Sequence, residues 1–120
     1  LGNRYAGLMG DDEAIKLIKD SAESSGELVW HMPLPIELRA LLNSDVADIA
    51  NVKIGNRAGG MLIGGHFLRE FVPGDIKWAH LDVAGPADNG GSAYGYTPKG
   101  GTGVIVRTLV SLAAKLSGEK

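Results

Sequence analysis

Glycine is the feature that most limits what this chain can become. It occupies 18 of 120 positions, and four of those fall inside one eight-residue run, "AGGMLIGG" at 58–65. The spacing is neither periodic nor low in complexity, so the glycines mark turns and close backbone approaches within a folded domain. Around the run the residues are apolar nearly all the way round. With Asn56 available as a cap and Pro73-Gly74 as a stop, residues 58–72 read as a buried helix in tight packing. Each of Gly59, Gly60, Gly64 and Gly65 costs up to about 1 kcal/mol there relative to alanine. A helix tolerates that cost where small residues admit another backbone.

The other segments alternate in type. "YAGLM", residues 5–9, is a short apolar run and reads as a buried strand. Asp11 or Asp12 then caps a helix that carries Ala14, Ile15, Leu17, Ile18, Ala22 and Ser25 and stops at Gly26. Lys16 and Lys19 meet Asp20 and Glu23 four residues on, which lends weak support. Leu28 to Met32 is extended, Pro33 and Pro35 end it, and Ile36 to Leu42 reads as a short helix. Residues 43–57 read as loop. Trp78 to Val83 alternates as a strand, with Trp78, His80 and Asp82 on one face. Thr102 is positioned to cap a last helix with Ile105, Leu109, Leu112, Ala113 and Leu116 on its buried stripe and Gly118 at its end. Strands separated by helices in this order predict an α/β fold with a largely parallel sheet.

The length suits one domain, which buries roughly 65% of its unfolded surface. A formal net charge of −2, with the basic residues scattered, leaves no footprint for nucleic acid or an anionic membrane. The absence of cysteine removes disulfide scaffolds, thiolate metal sites and cysteine nucleophiles, and fits a reducing compartment. No stretch approaches the roughly 20 apolar residues that span a bilayer, so a cytoplasmic protein is expected. The chain opens on Leu1-Gly2-Asn3 without methionine, which suggests a piece of something longer.

Few residues suggest chemistry. His80 and Asp82 lie at i and i+2 on one strand face, close enough in principle to share a metal. A strand-end hydrogen-bond pair that orders the next loop is the better reading, because a third ligand is wanting. His31 stands alone, and His66 reads as a packed, hydrogen-bonded histidine. "KGGTG", Lys99 to Gly103, offers backbone donors near a helix start, as a phosphate cradle does. It lacks the P-loop order, so a tight turn feeding the helix is preferred. Asp75, Asp82 and Asp88 form no fixed acid–base pair, with Asp88 in a loop read as mobile, and no GxSxG elbow occurs. A non-catalytic assembly module, packing through residues 58–65 and 84–103, remains an alternative.

Several segments in order resemble the leucyl aminopeptidase (cytosol aminopeptidase) family. They are "SDVADIAN" at 44–51, "AGG" leading to "FLREFV" at 67–72, "WAHLDVAGPA" at 78–87 and "YTPKGGTGVIVRTL" at 96–109, with "YAGLMGDDE" and "SGELVWHMPLP" preceding them. The resemblance covers essentially the whole chain. It implies a three-layer α/β/α catalytic domain behind a smaller N-terminal domain, assembled as a hexamer, with peptides as substrates. It further implies two divalent cations, zinc or manganese, held by a lysine, aspartates and a glutamate. In such a site the cations polarise the carbonyl and activate a bridging water. The family's Asn-Thr-Asp-Ala-Glu-Gly-Arg ligand segment does not occur here, and by the family's order it lies upstream of Leu1. Residues 1–120 are therefore expected to be the C-terminal portion of the catalytic domain, with no metal ligand and no catalytic residue of their own, and inactive alone. By the same resemblance Ala84 matches a small alanine that lines the pocket for the substrate's first side chain. Ala87 falls where some members carry methionine, so the pocket here has extra room.

Overall fold

The structure is a computed structural model and describes residues 1–118. Strand β1 (Ala6–Gly10) lies between β2 (Val29–His31) and β3 (Ala79–Asp82). It pairs in parallel with β2, Leu8 opposite His31, and antiparallel with β3, Leu8 opposite Leu81. The two faces of β1 take different helices, as strand alternation requires. On one face Leu8 packs with Ile15 and Ile18 of α1 (Asp12–Ser25), and Leu112 of α3 (Val106–Ser117) closes over them. Gly7 and Met9 point the other way, toward Met61 and Gly65 of α2 (Gly60–Arg69). The chain is thus a three-layer α/β/α unit. Each aliphatic side chain fully buried in such layers contributes about 1.5–3 kcal/mol.

The sheet is mixed where the strand–helix alternation predicts a largely parallel one. Strand β3 runs antiparallel to β1, and Asp11 secures the end of that pairing. Asp11 occupies the position before α1, yet its carboxylate caps nothing in that helix. It accepts from the Trp78 N–H at 2.7 Å, while the Asp11 N–H donates to the Trp78 carbonyl at 2.9 Å. These two hydrogen bonds extend the antiparallel pairing of β1 and β3 one residue beyond Gly10 and Ala79. Gly10 makes the approach possible: a Cβ there would lie 2.4 Å from the Trp78 carbonyl oxygen.

Four further expectations change. Helix α2 begins only at Gly60, because Gly59 adopts a left-handed φ of 64°, and Asn56 caps the preceding turn by accepting from the Ala58 N–H. It is buried on one side only, through Ile63, Gly65 and His66, while Leu68 and Phe71 are exposed. Of Gly59, Gly60, Gly64 and Gly65 only Gly65 faces a close neighbour, the Met9 sulfur. Helix α3 begins four residues after Thr102, and its buried positions are Ile105 and Thr108 rather than Leu109, Ala113 and Leu116. Residues 36–42 form a 3₁₀ segment. Among the described residues Lys16 and Lys19 form no ion pair, whereas Glu13 pairs with Lys77.

The 3₁₀ segment is tied to the end of α2 by Arg39, whose Nε donates to Glu70 at 2.5 Å. That hydrogen bond holds the Glu70 carboxyl below its ordinary value. A depressed folded value means the contribution is complete above the unfolded carboxylate pKa and is lost as pH falls through the folded one. Both groups are solvated, so the effect is small. The Tm difference between wild type and Glu70→Gln is expected to be small at pH 7 and to vanish as pH falls through the range in which the Glu70 carboxyl protonates. A difference that persists at low pH would assign it to packing instead.

Candidate functional site

Strand β3 delivers the chain into a loop, residues 83–103, that three polar side chains hold in place. At its start Asp82 Oδ1 accepts weakly from the Ala84 N–H at 3.4 Å. His80 Nε2 lies 3.8 Å from Asp82 Oδ2, and the imidazole stacks on Trp78 with ring centroids 6.5 Å apart. The two side chains share the strand face expected from the sequence, but 3.8 Å is too long for the hydrogen bond expected between them. His66 bonds through Nε2 to the Pro35 carbonyl at 2.8 Å. Among the described residues no three of His, Cys, Asp and Glu come together as a metal set. Asp75 lies in the turn beside Lys77, apart from Asp82 and Asp88.

Asp88 is not in a loosely held loop. Asp88–Asn89 forms a short strand, β4, antiparallel to β5 (Gly100–Gly101). Asn89 is 7% exposed and organises the excursion between the two strands. Its Nδ2 donates to the Ser92 and Pro98 carbonyls, both at 3.0 Å, and its Oδ1 accepts from the Gly91 N–H at 3.1 Å. A buried amide using both ends in this way fixes local backbone firmly. Thr102 ties the loop's start to its end. Its hydroxyl donates to the Pro86 carbonyl at 2.6 Å, and its N–H donates to the Ala87 carbonyl at 3.0 Å. Ala84 and Ala87 therefore sit on a tethered strip, and both are exposed.

The loop then enters α3 through Ile105, whose φ of 71° is the one left-handed value at a non-glycine among the described residues. Such a residue persists only where its surroundings over-determine it. Here Glu27 does so. Its carboxylate accepts from the Ile105 N–H (2.8 Å), the Thr108 N–H (2.8 Å) and the Thr108 hydroxyl (2.7 Å). Two of the N–H donors at this helix start, those of Ile105 and Thr108, are thus already taken by this chain's own carboxylate, and that of Val106 by the Gly103 carbonyl. Arg107 Nη2 stands 3.9 Å from the same carboxylate, with its guanidinium 4.7 Å from the Tyr96 ring centroid. Beside this junction lies an open cavity of about 490 Å³, bordered by Glu27, Leu28, Pro86, Tyr94, Tyr96 and Arg107. Ala84 and Ala87 do not line it.

Sequence reasoning did not find Asn89, Glu27 or the true role of Thr102. Asn89 had a signal, since asparagine before paired glycines favours an Asx turn. Glu27 had none, because its partners lie 78 and 81 residues away.

Comparison with known proteins matches residues 1–110 to the catalytic domain of the cytosol aminopeptidase family. A probable cytosol aminopeptidase of Clavibacter michiganensis subsp. michiganensis is 57% identical over 98% of this chain and 25% of its own length. One from Nocardia farcinica is 55% identical over 99% of this chain and 24% of its own. Among solved structures, the bottromycin maturation enzyme BotP superposes with a TM-score of 0.91 at 38% identity, over 98% of this chain and 26% of that one. A mutant of tomato leucine aminopeptidase superposes at 0.85 with 35% identity, over 96% and 21%. The chain spans about a quarter of the length of the curated relatives it matches. With the same segments in the same order and a backbone that superposes throughout, the chain belongs to the cytosol aminopeptidase family.

Proposed function

We propose that these residues are the C-terminal portion of the catalytic domain of a metal-dependent aminopeptidase, which removes N-terminal residues from peptides. Within it, the 83–103 loop borders the pocket for the substrate's first side chain, with Ala84 and Ala87 on the pocket wall. The observation that carries this reading is the family match across 110 residues, combined with the tethering of that loop by Thr102 and Asn89. A specificity wall has to be rigid to discriminate by size, and this one is held at both ends.

The divalent cations belong elsewhere. His66 is engaged with a carbonyl, His80 stands 3.8 Å from Asp82 and His31 lies alone on β2, and among the described residues no three of His, Asp and Glu come together, so they do not fit a two-cation centre. BotP has been solved in complex with Mn, which supports a divalent metal in the relative and, by extension, in the rest of this protein. No described helix is long and apolar enough to cross a membrane. We place the enzyme in the cytoplasm as a homo-hexamer. The apolar residues left exposed on α3, Val106, Leu109, Val110 and Leu116, support burial against the remainder of the domain or against other copies.

The test is substrate preference in the full-length protein. Ala84→Leu is expected to lower kcat/KM for a leucine anilide about tenfold while sparing an alanine anilide, the scale on which an apolar pocket discriminates. Ala87→Met, which fills the added room, should move preference the same way by a smaller factor. Equal losses on both substrates would remove these alanines from the pocket wall.

A further inference from the structure

Glu27 lies far from Ala84 and Ala87 in sequence, on the turn between α1 and β2, yet a continuous chain of bonds joins it to them. Its carboxylate is 6% exposed and holds the Ile105 N–H, the Thr108 N–H and the Thr108 hydroxyl. Three residues before Ile105, Thr102 grips the Pro86 and Ala87 carbonyls. Thr108 is itself fully buried and meets the Ser25 hydroxyl of α1 at 3.2 Å. The left-handed Ile105 between the two grips is conformationally costly, and releasing it would let residues 100–105 relax. The strip that Thr102 holds would move with them.

We infer that Glu27 is a positioning residue for substrate selection: through the start of α3 and Thr102 it fixes where the Ala84–Ala87 strip stands. The inference rests on the aminopeptidase reading above. Glu27 touches neither substrate nor metal in this account and acts only through backbone. Its distinctive effect is on size discrimination, because a wall displaced by a fraction of an ångström no longer separates leucine from alanine. The carboxylate matters as a double acceptor. A glutamine keeps one oxygen but turns its NH₂ group toward the remaining donors, so at least one bond is lost and two donors face each other.

The experiment uses the full-length, metal-loaded protein. Glu27→Gln is compared with wild type on leucine and alanine p-nitroanilides, with kcat and KM separated, and by amide hydrogen exchange over 84–91 and 100–108. The expected result is a leucine-to-alanine selectivity ratio reduced about tenfold, carried by KM for the leucine substrate, since small misplacements of positioning groups act on that scale. Exchange should quicken in both segments. An unchanged ratio, or a kcat loss shared by both substrates, overturns the inference. Should Glu27→Gln not fold, Thr102→Val breaks the same chain at its other end by removing the hydroxyl that holds Pro86. It should shift the ratio in the same direction, and an unchanged ratio there also overturns the inference. If wild type cleaves neither anilide, the aminopeptidase reading is what fails. Exchange then decides the mechanical part alone, with unaltered exchange over 84–91 in Glu27→Gln refuting it.

Discussion

Mixed with a leucine p-nitroanilide and millimolar Mn²⁺ or Zn²⁺, residues 1–120 on their own are expected to hydrolyse it no faster than buffer. Set against the intact aminopeptidase proposed above, this is a loss of about a millionfold or more, the lower end of what enzymes supply. The reason lies in how the potential ligands are committed. His66 is bonded to the Pro35 carbonyl, His80 leans on Asp82 and stacks on Trp78, and His31 is isolated on the outer strand. Asp11 is held by the Trp78 N–H and Glu27 by the start of α3. Each carboxylate or imidazole with a fixed orientation is oriented toward this chain's own backbone or a near neighbour. The check is a rate assay on purified chain across gel-filtration fractions. Hydrolysis that co-elutes with the chain and disappears with a chelator would mean that a metal site forms here after all.

Gly10→Ala is the most damaging single substitution expected. Its φ of 146° is poorly open to a side chain, and an added Cβ would meet the Trp78 carbonyl oxygen at 2.4 Å and the Ala79 Cα at 2.6 Å. Those atoms are backbone in the paired strand, so nothing flexible can step aside. Overpacking of this kind costs about 1–3 kcal/mol and the strained backbone a similar amount, together about 4 kcal/mol. In a full-length protein the loss should appear as a first unfolding transition several °C lower, or as insoluble product. Gly64→Ala is the matched control. It lies within α2 with nothing inside 4 Å of its added Cβ, so it should be neutral or stabilise by up to about 1 kcal/mol. Equal behaviour of the two variants would show that the Asp11–Trp78 junction does not hold β3 as described.

What the sequence made legible follows from the range of the interactions. The apolar run at 5–9 and the helix ending at Gly26 are local patterns, and both lie where periodicity put them. His66 is packed and hydrogen-bonded as its position predicts, and i, i+2 spacing puts His80 and Asp82 on one face, though 3.8 Å apart and without the expected hydrogen bond. Errors arose where a polar side chain works at a distance. The helix pattern offers Asp11 or Asp12 as its cap, yet the Asp11 carboxylate accepts from residue 78 in the neighbouring strand instead. Thr102 was read as the cap of α3, while the actual acceptor is Glu27. The buried stripe of α3 shifted with it, since anchoring Thr108 inward turns Leu109 and Leu116 outward. The family resemblance was visible in the ordered segments, whereas the bonding that tethers the 83–103 loop was not.

The remote anchoring of α3 also bears on how the chain acquires its structure in time. A twelve-residue helix without a local cap is marginal in water, because nucleation is unfavourable and few turns follow it. Its first turn is completed by a carboxylate 78 residues earlier, so closing it requires the β1–α1–β2 unit to exist already. Contacts of that sequence separation slow folding, because loop closure precedes any gain from the contact. In vectorial synthesis the first thirty residues would organise early, and α3 would dock onto them late, bringing the tethered loop into register as it settles. Refolding followed by pulsed exchange should therefore protect Leu8 and Ile15 before Ile105 and Thr108.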